Sequence, residues 1–136
     1  MSTSEFVFPG SRYVGMTWLG RGLSGLCALL FVFSAGMKLV KGAPVMEAMA
    51  TFGIPERLIV PIGVLELACL ALYLVPRTAV LGAVLLTGYL GGAVVTHLRV
   101  GDPFLMPAVL GVVVWLGVWC REPRLRAVLP LRRAGV

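Results

Sequence analysis

The chain has 136 residues, of which 59% are hydrophobic and only 13% are charged, and its mean hydropathy is +0.96. Soluble domains carry about a quarter charged residues and less than half apolar residues. Small soluble domains hide only about two-thirds of the surface that the unfolded chain exposes, which is too little for so apolar a chain. The composition therefore excludes an ordinary soluble domain and predicts a membrane protein.

Four apolar blocks follow one another along the chain, at about 18–37, 58–75, 78–98 and 104–119. Each approaches the ~20 residues that a helix needs to cross the hydrocarbon core, and the fourth is the shortest. None alternates polar and apolar residues as a barrel strand would. The first block is longer than the core of a signal peptide, so we expect a retained span. The pattern predicts an all-α integral membrane protein, an antiparallel four-helix bundle forming a single transmembrane domain over residues 1–136.

The connections between the blocks add detail to this fold. The longest, residues 38–57, contains apolar residues at roughly helical spacing: Val45, Met46, Met49 and Phe52. We therefore expect a short interfacial helix within 43–53, between helices one and two. Pro76-Arg77 is typical of a tight turn, and Gly101 can adopt the left-handed conformation that ends a helix. Such short links predict that successive helices run antiparallel.

Basic residues predict the orientation of the bundle. The segment 120–136 holds five arginines: Arg121, Arg124, Arg126, Arg132 and Arg133. The positive-inside rule then predicts a basic cytoplasmic tail, with both termini of a multi-pass inner (plasma) membrane protein in the cytoplasm. Five aromatic residues near the same boundary are typical of an aromatic belt: Tyr13, Trp18, Tyr73, Trp115 and Trp119. Topology and anionic lipid explain the net charge of +6, so we expect no nucleic-acid partner.

The three cysteines and the motif content argue against a bound cofactor. Cys27, Cys69 and Cys120 form no CxxC pair, so we expect them to be buried small hydrophobic residues. The sequence has no glycine-rich nucleotide loop, no haem-attachment motif and no His/Cys cluster at zinc spacing. We therefore expect no metal, haem or flavin, while a quinone stays open as a substrate.

Polar residues inside the apolar blocks carry the functional prediction. Glu66 lies near the middle of the second block, where a charge costs at least ~2.5 kcal/mol, so a functional role is the default hypothesis. Counting 1.5 Å per residue brings Tyr89 of the third block to the same depth. Thr96 lies seven residues from Tyr89 on nearly the same face, and His97 and Lys38 lie at the outer boundary. We predict that these five side chains line one cavity that opens toward the outer leaflet.

Each of these residues also has a structural explanation. Glu66 can fasten two helices as a protonated carboxyl, and Lys38 can be a snorkelling anchor. Gly63, one turn before Glu66, and the Gly88–Gly92 step on the third block have two interpretations. Small residues let membrane helices approach closely, and they also leave space for a ligand.

Three segments resemble the DoxX-like family of small four-helix membrane proteins: FSAGMKLV (33–40), IGVLELACL (62–70) and AVVTHLRVGDPF (93–104). The resemblance extends over nearly the whole apolar part of the chain. It implies a link to membrane redox, because some relatives are subunits of thiosulfate:quinone oxidoreductases and others accompany superoxide-defence or thiol systems. It also points to Lys38, Glu66, His97 and Asp102 as the site positions.

Three functions remain open. The first is an enzyme that acts on a lipophilic small molecule by proton transfer, with Glu66 and His97 as the acid/base pair. Isomerisation, cyclisation, epoxide opening and quinone protonation all suit such a pair. The substrate-binding residues would then be Lys38, Tyr89, Thr96, Gly63 and Asp102. The second is a non-catalytic subunit that binds a quinone or anchors a redox partner protein, and the third is a structural protein or homo-oligomer. We favour the first.

Overall fold

The computed structural model describes residues 10–129, which form six helices joined by turns and short links. Its helices are α1 (Gly10–Leu39), α2 (Ala43–Thr51), α3 (Glu56–Leu74), α4 (Ala79–Arg99), α5 (Leu105–Arg121) and α6 (Pro123–Val128). No strand occurs between residues 10 and 129, which confirms the all-α prediction for this part of the chain. Helix α1 begins eight residues before the predicted block, because the residues ahead of the apolar core continue the same helix.

Three of the helices are long and apolar enough to cross a membrane: Tyr13–Leu39, Glu56–Leu74 and Ala79–Arg99. The fourth predicted span corresponds to α5, which is apolar but has only 17 residues. At 1.5 Å per residue that is a length of about 25 Å, against about 30 Å of hydrocarbon. Length therefore separates α5 from the other three helices.

The long helices pack in pairs, with α1 and α4 each in contact with both α3 and α5. Buried positions on α1 recur every three or four residues, as on a helix with one face toward its neighbours. They are Gly20, Ser24, Cys27, Phe31, Ala35 and Lys38. The core is largely apolar and includes all three cysteines as buried free thiols, as predicted.

At one end of the bundle, glycines bring the helices into close contact. We call this the closed end, defined by Gly20, Gly82 and Gly117. A Cβ atom at any of the three would lie less than 3 Å from a neighbouring helix or turn. Gly82 faces the backbone of Tyr73, and Gly20 faces the backbone at Arg121. Only glycine leaves room for such contacts, so these positions hold the helices together.

Tyr73 lies fully buried in the closed end. Its hydroxyl donates a hydrogen bond to the Val114 carbonyl over 2.9 Å and lies 3.0 Å from the Ser24 hydroxyl. The Arg121 guanidinium donates to the Tyr73 carbonyl and stacks on the ring, with 4.5 Å from Cζ to the ring centroid. The prediction that Tyr73 belongs to an aromatic belt is therefore wrong, because its polar group is satisfied inside the protein.

The segment predicted as a basic tail is partly helical. Arg121 ends α5, and α6 follows with Leu125 buried. Arg126 donates to the Cys120 carbonyl over 2.9 Å, which ties α6 back to the end of α5. Arg132 and Arg133 lie outside the described residues.

The link between α1 and α3 forms the nine-residue helix α2, within the predicted range. None of the residues of α2 is fully buried. The backbone takes positive φ angles beside it, 51° at Lys41 and 71° at Gly53, so the chain turns sharply on both sides. Gly101 has a φ of 72° after α4, which confirms the predicted left-handed turn.

Candidate functional site

A cavity of about 600 Å³ lies between α1, α3, α4 and α5, beside the link that contains α2. Its volume is within the range of about 300–1,000 Å³ that is typical of ligand pockets. The walls are mostly apolar and include Phe31, Phe52, Ile62, Leu90 and Met106. We call this end of the bundle, where the cavity lies, the open end.

Lys38 and Glu66 form a buried ion pair in the wall of this cavity. The distance from Lys38 Nζ to Glu66 Oε2 is 2.8 Å, and the two side chains are 7% and 1% exposed. Lys38 also donates to the Ser34 hydroxyl over 2.6 Å. Side chains on a helix lean toward its N-terminus, which explains how the ammonium of Lys38 reaches a residue one turn earlier. All three residues line the cavity.

Tyr89 and Thr96 are the polar residues that α4 contributes beside His97. Tyr89 lies close enough to Glu66 for the two groups to interact electrostatically, and its ring meets Phe31 edge-on at 6.5 Å. Thr96 lines the cavity, but its hydroxyl donates to the Gly92 carbonyl over 2.7 Å. The hydroxyl hydrogen of Thr96 is therefore bonded within α4, and the hydroxyl oxygen can still accept a hydrogen bond from a ligand.

His97 lines the cavity near the end of α4 and is held from outside the cavity by Asp102. The distance from His97 Nδ1 to Asp102 Oδ2 is 2.6 Å. The ring of Phe52 packs against the imidazole, with 4.7 Å between the ring centroids. Asp102 is not among the lining residues, and its carboxylate contacts His97.

The chain also matches a known family. The model of the DoxX-like family matches residues 22–117, which is well over half of the chain. The chain belongs to the DoxX-like family. No curated protein and no solved structure matches it. The family match and the three apolar helices together indicate that this DoxX-like protein is a membrane protein.

The DoxX-like match contains every predicted site residue, and the structure brings five of them to one cavity: Lys38, Glu66, Tyr89, Thr96 and His97. Gly63 lies elsewhere. A Cβ atom there would lie 3.1 Å from Lys38 Cβ and 3.3 Å from the Ala35 carbonyl. Of the two interpretations of Gly63, the structure supports close helix approach, because α1 occupies the space beside this glycine.

Two residues of this DoxX-like site were missed in the sequence: Ser34, which accepts from Lys38, and Phe52, which packs on His97. Ser34 lies four residues before Lys38, and that spacing places both on one face of a helix. This signal could have found Ser34. Phe52 follows α2, and nothing in the local pattern indicates that it contacts the end of α4.

The cavity brings together side chains that can exchange protons. A carboxylate, an ammonium, a phenol and an imidazole meet an apolar volume that can hold a ligand. Among residues 10–129, no three His, Cys, Asp or Glu side chains come together as a metal ion would require. The arrangement suits general acid/base chemistry on an apolar molecule, and the absence of a cofactor stays a prediction.

Proposed function

We propose that this DoxX-like membrane protein binds a lipophilic small molecule in the cavity and transfers protons to and from it through Glu66 and His97. The observation that carries the proposal is the ion pair between Lys38 and Glu66, buried in the cavity wall. Burying two charges costs several kcal/mol per ion before their attraction repays it, and apolar residues often serve stability equally well. An acid/base role gives a reason to keep the charges. Isomerisation, cyclisation, epoxide opening and quinone protonation remain the candidate reactions.

The access route supports a ligand that comes from the bilayer. Several lining residues are also exposed on the outside of the helices: Phe33 (71%), Met106 (69%), Leu65 (54%) and Gly92. An exposed apolar residue on a membrane helix faces lipid unless another chain covers it. The cavity therefore adjoins the hydrocarbon phase, where a lipophilic molecule concentrates.

The proposed membrane arrangement is an antiparallel four-helix bundle in the plasma membrane, with α5 as the fourth span and both termini cytoplasmic. The short turns between α3 and α4 and between α4 and α5 support it. Helix α2 would then lie at the outer interface, over the cavity. Single cysteines introduced at Thr51 and Gly135, in a variant without the native cysteines, test this arrangement. We expect a membrane-impermeant maleimide to label them from opposite sides of vesicles, and labelling from the same side would contradict the topology.

Two other functions are compatible with the same residues. The ion pair joins α1 to α3, so it can serve only to fasten the helices. The cavity can also hold a quinone without reaction, as a non-catalytic subunit of a membrane oxidoreductase would require. The first role predicts a loss of stability alone when the pair is broken. The second predicts quinone binding without conversion.

A mutant cycle on the ion pair separates these roles. The protein in lipid nanodiscs is incubated with a total lipid extract in D₂O, and mass spectrometry detects new deuterium or added water in any lipid. We expect Glu66→Gln to lower conversion by ~10²–10⁴. The melting temperature should also fall, because the ammonium of Lys38 stays buried without its carboxylate. The double variant Lys38→Met/Glu66→Gln should regain stability, because both charges are gone, but not conversion.

The exposed pair between Lys41 and Glu56, also 2.8 Å long, supplies the control. We expect Lys41→Met/Glu56→Gln to change neither conversion nor melting temperature appreciably, because exposed ion pairs contribute little. Recovery of conversion in the Lys38/Glu66 double variant would show that the pair only fastens helices. A native protein that binds decyl-ubiquinone but converts no lipid would support the non-catalytic subunit.

A further inference from the structure

The hydrogen bond between His97 and Asp102 determines where the imidazole carries its proton. The carboxylate oxygen Oδ2 lies 2.6 Å from Nδ1. An ionised carboxylate accepts hydrogen bonds and cannot donate them. The bond therefore forms only when Nδ1 carries a hydrogen. In the neutral ring the second nitrogen, Nε2, is then without a proton.

The fold builds this pair through the turn after α4. Gly101 takes a φ of 72°, which reverses the chain and brings the next residue back beside the helix. The backbone N–H of Asp102 then donates to the His97 carbonyl over 3.0 Å. Phe52, in the link after α2, packs against the imidazole with the two ring planes tilted by 57°. Backbone, carboxylate and aromatic contacts thus restrict the imidazole of His97 on several sides, while it still lines the cavity.

We propose that Asp102 is a positioning residue that keeps the neutral His97 in its Nδ1–H tautomer, with Nε2 as an unprotonated base available to a ligand. Free histidine in water favours the opposite, Nε2–H tautomer. The hydrogen-bond partner of one ring nitrogen determines whether the other nitrogen carries a proton, as in sites where a carboxylate orients a histidine. The inference rests on the proposed function only for the use of Nε2, because the tautomer is a property of the unliganded protein.

This assignment restricts the chemistry of the ligand. An unprotonated Nε2 accepts a hydrogen bond or a proton and cannot donate one. The ligand group that meets His97 is then a donor, such as a hydroxyl or an acidic C–H. A ligand that offers only a carbonyl oxygen there would lack a partner. Glu66 and Lys38, which also line the cavity, remain available for the proton that leaves or returns.

The experiment uses the fact that the chain has a single histidine. Protein labelled with ¹⁵N-histidine gives one pair of ring nitrogen signals, and their couplings to the ring hydrogens distinguish the two tautomers. The measurement needs no ligand and is made on the full chain in detergent or nanodiscs, at a pH where the ring is neutral. We expect the native protein to show a protonated Nδ1 and an unprotonated Nε2.

Variants of Asp102 test the cause. We expect Asp102→Ala to shift the ring mainly to the Nε2–H tautomer. Asp102→Asn should give a mixture of both tautomers, because its amide can accept from Nδ1–H or donate to an unprotonated Nδ1. Glu56→Ala removes another carboxylate, one that pairs with Lys41, and should leave the tautomer unchanged. A melting curve checks that each variant is folded.

Two results would overturn the assignment. One is an Nε2–H tautomer in the native protein, which needs no variant to interpret. The other is an unchanged Nδ1–H tautomer in folded Asp102→Ala. The proposed function fails separately: if the native ring is Nδ1–H but His97→Ala converts lipid as well as the native protein, the acid/base role of His97 is wrong while the tautomer stands.

Discussion

The closed end and the open end of the same four helices are built differently. At the closed end, the hydroxyl of Tyr73 bonds to the Val114 carbonyl, and Arg121 bonds to the Tyr73 carbonyl. At the open end, the buried charges of Lys38 and Glu66 lie against a cavity of about 600 Å³. Dense packing at the closed end holds the helices together, so the open end can leave space between them. Close helix packing and the candidate binding cavity thus lie at different ends of the same packed helices.

Helix α4 shows the difference most directly, since Gly82 at the closed end lies against a neighbouring element and the glycines farther along this helix do not. A Cβ atom at Gly20, Gly82 or Gly117 would come within 3 Å of a neighbour. On α4, a Cβ at Gly88, Gly91 or Gly92 would meet no heavy atom of a neighbouring element within 4 Å. The first group joins helices, and the second leaves the outer surface of α4 open. Substitutions at matched glycines can therefore test the comparison.

The largest loss of stability is expected from Gly82→Ala, which should disrupt the helix packing at the closed end. The new methyl group would collide with the backbone of Tyr73 and of Leu72, which cannot move aside as a flexible side chain would. Overpacking a core costs about 1–3 kcal/mol, and a clash with backbone belongs at the upper end of that range. Melting temperature in detergent measures the loss.

Gly88→Ala is the matched control on the same helix. Its methyl group meets open space, and alanine is the better helix former by about 0.8–1 kcal/mol in host–guest measurements. We expect an unchanged or higher melting temperature. Equal losses for Gly82→Ala and Gly88→Ala would show that close packing at the closed end does not hold the bundle together.

A smaller effect, on binding and not on stability, is expected from Gly92→Phe at the open end. Gly92 lines the cavity and is exposed on α4, so a phenyl ring there would narrow the route from the bilayer. We expect lower lipid conversion in the D₂O assay, with the melting temperature nearly unchanged. Gly91→Phe is the control, because Gly91 is exposed but does not line the cavity. Equal conversion by both variants would place the entry route elsewhere.

The sequence predicted the parts of this structure that follow from helix geometry. Each residue adds 1.5 Å to a helix, so depth can be counted from a block's ends. That count grouped Glu66 with Tyr89, Thr96 and His97, and the structure brings these residues to one cavity. Their function as a site stays a prediction. The all-α class followed from composition, because a chain this apolar needs helices to satisfy its backbone in lipid.

Contacts between distant parts of the chain could not be predicted in this way. Tyr73 was assigned to the membrane boundary because it lies near the end of an apolar block. Its burial depends on Ser24 and Val114, which are 49 and 41 residues away. The role of Gly63 likewise depends on which turn of α1 lies opposite. Local periodicity says which face of a helix is apolar, but not which neighbour covers it.

The bond between Tyr73 and Val114 also bears on how the chain is synthesised. The ribosome makes α3 before α5. The Val114 carbonyl, which accepts the hydrogen bond from the Tyr73 hydroxyl, is therefore synthesised 41 residues after Tyr73. During that interval the surfaces of α1 at Gly20 and Ser24, which later contact α5, have no partner from that helix. The closed end is therefore complete only after α5 has been made, and we expect translation arrested before Leu105 to leave it unformed.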